Sequence, residues 1–260
     1  MDSELLRRGI TPDLKEAEKL IAANKVQVNG SFATTAAQMV LKSDSLEVVV
    51  DRDQYVSRGG YKLAHALSVF SIDPCKLDCV DVGASTGGFS DCLLQEGAST
   101  VTTIDVGYGV LHERLVNDAR ITRFERLNIR DANSVISPKR FQLLVADLSF
   151  ISLRLVLQNL VDLCEFGASM VLLVKPQFES SYEEASRSNG VIRDPDIWKR
   201  TLEEVAEVAK NVGAPLQAVT VSPLNGIRGN REFFFHLING AKNQAIDIPL
   251  VTEDKKPDVQ

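Results

Sequence analysis

The sequence predicts an α/β protein: a mostly parallel seven-stranded sheet with helices on both faces and an antiparallel last strand, preceded by a small α+β module. Three observations predict it. Beyond residue 54, apolar strand-like runs alternate with helical periodicities. A glycine-rich turn, Gly83-Ala84-Ser85-Thr86-Gly87-Gly88, joins one such strand directly to a helix. Between the final two strands lies only the turn-rich Pro223-Leu224-Asn225-Gly226 segment, so those two should pair antiparallel.

In the first module Ser3 is expected to cap a short helix ending at Gly9, and Thr11-Pro12 to start a second that carries Leu14, Ala17 and Ile21 on one face. Val26-Gln27-Val28 alternates as a strand into the tight-turn dipeptide Asn29-Gly30, and residues 46–50 read as another strand. Asp51-Arg52-Asp53-Gln54 is a polar connector. The larger domain should hold strands at 78–83, 100–106, 121–125, 141–147, 169–175, 216–222 and 232–238. Helices are expected near 60–70, 87–96, 110–118, 151–163 and 196–212. The division is therefore 1–54, 55–240 and a polar tail, 241–260, expected to fray.

Composition excludes several classes. The longest apolar runs, such as Met170 to Val174, are far shorter than the roughly 20 residues of a membrane-spanning helix. The acidic start, Met1-Asp2-Ser3-Glu4, lacks the pattern of a secretory signal, which implies a cytoplasmic protein. Cys75, Cys79, Cys92 and Cys164 show no C-x-x-C pair, so neither a zinc site nor a disulfide framework is expected. The formal net charge of −6 argues against broad nucleic-acid binding, leaving only a local basic surface for such a role.

The glycine turn has three readings. Small residues let backbone approach a ligand closely, and a helix N-terminus offers unpaired N–H groups, so a nucleotide-like ligand fits. A ligand-free turn is the plainer reading of the motif alone. Asp105 favours the ligand, because it closes the next strand, where a carboxylate can accept both hydroxyls of a ribose. The spacing is not G-x-G-x-x-G, which argues against nicotinamide cofactors. Gly83-Ala84-Ser85-Thr86-Gly87 also satisfies G-x-S-x-G, the nucleophile elbow of a serine hydrolase, with Ser85, Asp147 and His236 in the required order. His236 lies inside a strand, however, and no oxyanion segment is recognisable, so this reading ranks below the first.

Two further apolar strands end in charges, Asp147 and Lys175, and ligands of open α/β sheets bind beyond those carboxyl ends. Glu232 begins an antiparallel strand and so reaches the same edge. Lys62 shares a helical face with Arg58, four residues earlier. Each charge alone has an ordinary explanation as a cap or a solvated end. Together two lysines and two carboxylates around one cleft form a group suited to moving protons.

Arg58-Gly59-Gly60-Tyr61-Lys62-Leu63, Asp81-Val82-Gly83-Ala84-Ser85-Thr86-Gly87-Gly88-Phe89, Ala146-Asp147-Leu148-Ser149-Phe150-Ile151-Ser152, Val174-Lys175-Pro176-Gln177-Phe178-Glu179 and Gly229-Asn230-Arg231-Glu232 resemble the TlyA family, often labelled hemolysin A. That family is similar to FtsJ-type ribose methyltransferases. The resemblance implies a Rossmann-like methyltransferase domain behind an alpha-L RNA-binding domain, S-adenosylmethionine as methyl donor, and cytidine 2′-hydroxyls of ribosomal RNA, free or in subunits, as substrate. It maps a catalytic Lys-Asp-Lys-Glu tetrad onto Lys62, Asp147, Lys175 and Glu232.

On this reading Lys175 is the base toward the ribose hydroxyl, Asp147 and Glu232 orient it, and the four groups titrate as a unit. Asp81, Gly83, Ala84, Ser85, Thr86, Gly87, Gly88, Phe89, Asp105 and Val106 would hold the donor, with Asn128 and Ile129 at its adenine edge and Phe150 beside the reacting centre. Arg7, Arg8, Lys15, Lys19, Lys25 and Arg58 are the candidate RNA contacts, and no metal is expected. The chain departs from the family at its start, where the basic stretch is reduced to Met1-Asp2. Residues 1–60 carry eight Lys or Arg against nine Asp or Glu, so RNA affinity depends on where those cations lie. The hemolysin label suggests a membrane-active protein, and an RNA-binding module with an inactive enzyme domain is a third class. The intact tetrad argues against the latter.

Overall fold

A computed structural model describes residues 1–22, 25–29, 31–33, 35–41, 44–48, 54–136, 140–226, 228–244, 246 and 248. The chain divides into two compact units, Met1–Gln54 and Tyr55–Gln260.

The first unit contains helices α1 (Asp2–Arg7) and α2 (Leu14–Ala22) and strands β1 (Val26–Val28), β2 (Ser31–Phe32) and β3 (Leu46–Val48). The strands form an antiparallel sheet in the order β2-β1-β3. Leu5, Ala17, Ile21, Val26, Val28 and Leu46 are in its core, so Ala17 and Ile21 of the expected helical face are buried, whereas Leu14 at the helix start is exposed. Two caps differ from expectation. Helix α1 starts ahead of Ser3, with Met1 at the cap position and its carbonyl accepting from Glu4 and Leu5. Helix α2 is capped by Asp13 rather than Thr11, the Asp13 carboxylate accepting the Glu16 N–H at 2.8 Å. Val28 pairs with Ser31, and β2 is a strand that the sequence reading left out. Gly30, Val49, Val50 and the Asp51-Arg52-Asp53 connector lie outside the described residues.

The second unit begins with α3 (Arg58–Phe70), β4 (Asp78–Val82), α4 (Gly88–Gln95), β5 (Thr100–Asp105), α5 (Glu113–Val116), β6 (Ile121–Glu125), α6 (Ile129–Ile136) and β7 (Phe141–Ala146). A 3-10 turn (Leu153–Leu155), α7 (Leu157–Asp162), β8 (Cys164–Val174), α8 (Pro176–Glu179), α9 (Tyr182–Arg187), α10 (Pro195–Asn211), β9 (Leu216–Val221) and β10 (Phe233–Ile238) complete it. The seven strands lie in the order β6-β5-β4-β7-β8-β10-β9. Strand β10 is antiparallel to both neighbours, as the turn-rich connection before it predicts.

Side chains alternate across this sheet with a period of two. Leu144 and Ala146 of β7, Met170, Leu172 and Val174 of β8, and Phe233 and Phe235 of β10 pack with α6, α7 and α10 on one face. Leu143, Val145, Val171, Leu173 and Phe234 pack with α3 and α4 on the other. Burial on both faces is why these strands read as continuous apolar runs.

Local differences have local causes. Helix α5 occupies four residues instead of 110–118, with His112 Nδ1 accepting the Arg114 N–H at its start. The expected helix over 151–163 is split, because Ser152 and Leu153 bond to Glu179 and hold the first turn as 3-10. Helix α6 was read as connecting chain, although Ile129, Ala132 and Ile136 bury one face of it. Of the tail's described residues, Ile246 and Ile248 pack on the core, and Gln244 bonds to Gln217. The rest of the tail lies outside the described residues.

Candidate active site

Strand β4 delivers the chain into the glycine turn, where Gly83, Ser85 and Gly87 all have positive φ (82°, 49° and 90°). Gly83 is required by space as well as by dihedral angle, since a Cβ there would lie 2.6 Å from the Asp147 carbonyl oxygen. A Cβ on Gly88 would collide with Ser57 Oγ, so α4 and the start of α3 meet only because that position is bare. Ser57 caps α3, its hydroxyl accepting from Gly59 N–H at 3.3 Å. These contacts set Arg58 and Lys62 of α3 beside the turn.

A cleft opens there in two lobes, of about 280 and 430 Å³. Gly83, Ser85 and Asp147 line both. The smaller adds Arg58, Lys62, Asp81 and Asn225; the larger adds Asp105, Val106, Asn128, Ile129 and Phe150. The larger lobe by itself falls in the range of small-molecule sites.

The four charged residues form two ion pairs beside this cleft: Lys62 and Asp147 line it, and their partners Glu232 and Lys175 are buried. Lys62 Nζ donates to Glu232 Oε2 at 2.6 Å, both groups buried. Lys175 Nζ lies 2.5 Å from Asp147 Oδ1 and donates to Ser149 Oγ at 2.9 Å. Strand register brings the pairs together: Phe233 pairs with Val174, so Glu232 and Lys175, the next residue on each strand, leave the sheet at the same edge. Glu232 is thus the partner of Lys62, whereas the sequence reading had both carboxylates orienting Lys175. A Cβ on Gly226 would lie 2.5 Å from Glu232 Oε1, so the loop before β10 closes directly over that carboxylate.

Asp81 is completely buried on the smaller lobe. Its Oδ2 accepts the Ser90 hydroxyl at 2.6 Å, while Oδ1 has no partner. Burial pushes its carboxyl up to about 7; the Ser90 bond opposes this and the charges of Asp147 and Asp105 add to it. An unpartnered buried acceptor facing a cleft fits a ligand bearing a donor or a positive charge.

Other candidates take different positions. Asp105 uses its carboxylate to accept Ser85 N–H at 2.7 Å and Gly107 N–H at 2.6 Å, shaping the turn itself. Asn128 caps α6 through the Arg130 N–H, and Ile129 is buried in the core at the larger lobe's wall. Ala84, Gly88 and Phe89 are buried yet line the smaller lobe, with Phe89 packed against Phe234 behind it, and Gly87 is buried. Thr86 and Val106 are exposed, and the Thr86 carbonyl accepts from His112 N–H. Phe150 is 93% exposed, with positive φ (62°) and its ring 5.3 Å from that of Phe178.

The hydrolase triad does not assemble. His236 sits three residues along β10 from the cleft edge, bonded to Ser169 and stacked on Phe70, while Asp147 is paired with Lys175.

In the first unit Arg7 and Arg8 both bond to Glu4, and Lys19 pairs with Glu16 at 3.5 Å. Arg8 also donates to the Asp44 and Leu41 carbonyls, a structural duty that the sequence reading missed. Lys15 is exposed and Lys25 half-buried. Arg58 faces the smaller lobe and donates to the Asn225 carbonyl at 2.8 Å.

Sequence reasoning also missed Ser149, Ser90 and Glu179. Glu179 is buried and accepts from Ser152 Oγ at 2.5 Å, Leu153 N–H at 2.7 Å and Arg154 Nε at 3.3 Å. It ties the segment after β7 to the segment after β8. Its only signal was a carboxylate within the Pro176-Gln177-Phe178-Glu179 motif.

The strand order, the antiparallel β10 and a glycine turn facing an acidic strand end define a Rossmann-like methyltransferase fold. The chain belongs to the FtsJ-like methyltransferase family, which matches residues 55–239 and whose members depend on S-adenosylmethionine. It is 42% identical over 238 residues to the 16S/23S rRNA (cytidine-2′-O)-methyltransferase TlyA of Mycobacterium tuberculosis, covering 91% of this chain and 88% of that one. It is 36% identical over 239 residues to Hemolysin A of Brachyspira hyodysenteriae, covering 92% and 99%. A solved structure of a hemolysin-named protein from Streptococcus thermophilus matches with a TM-score of 0.74 and 33% identity, over 96% of this chain and 93% of that one. Among the described residues no helix is long and apolar enough to cross a membrane, and no group of His, Cys, Asp and Glu gathers as a metal site.

Proposed function

We propose that this chain is a cytoplasmic S-adenosylmethionine-dependent 2′-O-methyltransferase acting on ribosomal RNA, with a cytidine ribose as acceptor. The observation that carries this reading is the meeting of the Lys175–Asp147 and Lys62–Glu232 pairs beside a cleft walled by the glycine turn. The relatives named above support the substrate class.

The cleft suits the donor. Gly83 leaves room for close backbone approach, the larger lobe has a carboxylate at Asp105 for ribose hydroxyls, and the unpartnered Asp81 Oδ1 suits a cationic amino group. When bound, S-adenosylmethionine supplies an electrophilic methyl carbon whose bonding electrons leave with sulfur. The chain's own task is to hold the ribose hydroxyl and take its proton. Lys175 is assigned as the base, Asp147 as its anchor, and Lys62–Glu232 as a neutralised pair that orients the acceptor nucleotide from across the edge. Arg58 is assigned to an RNA phosphate. The first unit is assigned as an alpha-L-type RNA-binding domain, with Arg7, Lys15, Lys19 and Lys25 as its cations.

The test uses tritiated S-adenosylmethionine and ribosomal subunits from cells lacking the gene. Transfer to RNA, with a primer-extension stop at a ribose-methylated cytidine, is the expected result; no transfer to either subunit overturns the reading. Leakage of lipid vesicles by the purified protein, without transfer, would instead support a membrane-active protein.

A further inference from the structure

We propose that Ser149 is a positioning residue that aims the Lys175 amine, an inference that rests on the assignment of Lys175 as base. Lys175 Nζ donates to Ser149 Oγ at 2.9 Å and lies 2.5 Å from Asp147 Oδ1, an ion pair whose angles do not make a hydrogen bond. A neutral amine has two N–H bonds and one lone pair. The Ser149 hydroxyl accepts one N–H, and with the Cε–Nζ bond set by the chain this fixes the three tetrahedral directions of the amine. The adjacent Asp147 carboxylate draws the second N–H to its side, which leaves the lone pair in the remaining direction. Without the hydroxyl the amine keeps only the non-directional attraction of the carboxylate and turns about Cε–Nζ.

The location supports this role. Ser149 lines the larger lobe together with Asp105 and Phe150, and its hydroxyl accepts from the Lys175 amine. The Phe178 ring from α8, 5.7 Å from Nζ, offers that side of the amine an apolar face and no hydrogen-bond acceptor of ordinary strength. The segment carrying Ser149 is itself fixed, because Glu179 accepts from Ser152 and Leu153 just beyond it. The Ser149 segment is therefore anchored through the Glu179 carboxylate, by bonds that do not involve the Lys175 amine.

Ser149 is exposed, so Ser149→Ala removes the acceptor without opening a core cavity, and Ser149→Thr keeps the hydroxyl with space for the methyl. With tritiated S-adenosylmethionine and subunits from cells lacking the gene, Ser149→Ala should lower kcat by about ten-fold, the worth of one hydrogen bond to a reacting group. KM for donor and RNA should stay unchanged, and Ser149→Thr should recover most of kcat. In the ligand-free protein, competitive acylation read by peptide mass spectrometry should label Lys175 several-fold faster in Ser149→Ala, because its amine swings free. Wild-type kcat in Ser149→Ala beside an inactive Lys175→Ala overturns the positioning role alone. Equal losses in the alanine and threonine variants overturn it too. Full turnover by Lys175→Ala removes the base assignment and this inference with it.

Discussion

Lys62 and Glu232, 170 positions apart in the chain, meet in a buried ion pair with Nζ 2.6 Å from Oε2. Helix α3 brings one and the start of β10 the other, so this bond fastens the first helix of the larger unit to its last strand. Breaking such a pair leaves an uncompensated charge away from water. Glu232→Ala should therefore lose about 3–5 kcal/mol of stability, read from urea denaturation. The double variant Lys62→Met with Glu232→Leu should recover much of that loss, because two apolar chains replace two buried charges. An additive loss in the double variant would show that the pair is not the cause.

Lys175 and Asp105 should separate chemistry from binding. Lys175→Ala is expected to keep donor affinity in calorimetry while transfer falls roughly 10²–10⁴-fold, the range of a general base. Asp105→Ala should weaken donor binding, since it loses a ribose acceptor and also the anchor of Ser85 and Gly107 N–H groups. Wild-type turnover by Lys175→Ala would refute its role.

Asp81 gives the protein a pH dependence. Its carboxyl rises from the ordinary 3.8 to about 7 through burial. Between those values the unfolded chain has released a proton that the folded chain retains, so this group lowers stability as pH rises from about 4 to about 7. Asp81→Asn removes the penalty and should raise the urea midpoint at pH 8 while leaving it nearly unchanged at pH 4. A cationic donor favours the ionised form, so its affinity for the wild type should strengthen as pH climbs through about 7. An affinity flat across that interval in wild type would place the donor's positive group elsewhere.

Glu179 is expected to matter without touching any ligand. Glu179→Ala strands the buried Leu153 N–H, at a cost of about 1–3 kcal/mol when unsatisfied, and releases the half-buried Ser152 hydroxyl. Thermal denaturation should show a lower midpoint, and kcat should fall as the Ser149 segment loosens. An unchanged midpoint would mean that water or neighbouring groups replace the carboxylate.

The parts legible in the sequence are those written in local pattern. The alternation of apolar strands and helices gave the doubly wound domain, and Pro223 to Gly226 gave the antiparallel end. Helix α6 was equally available in the spacing of Ile129, Ala132 and Ile136, and Asn128 is a good cap; the eight-residue length let it pass as connection. The caps at Met1 and Asp13 were missed because several residues of each segment can cap, and packing chooses among them. Glu179 and Ser149 carried almost no signal, since a glutamate and a serine beside apolar residues usually face water.

What the sequence determined by itself is which residues stand at strand ends: Asp105, Asp147 and Lys175 are placed there by periodicity, and strand ends of such sheets face the ligand. Which of those charges pair with one another was decided only by tertiary structure. Register between β8 and β10 sets Glu232 next to Lys175, yet the approach of α3 over bare Gly88 hands Glu232 to Lys62 and leaves Asp147 and Ser149 to Lys175. Partner choice depends on differences of a few ångströms among groups distant in the chain, and no local pattern encodes such distances.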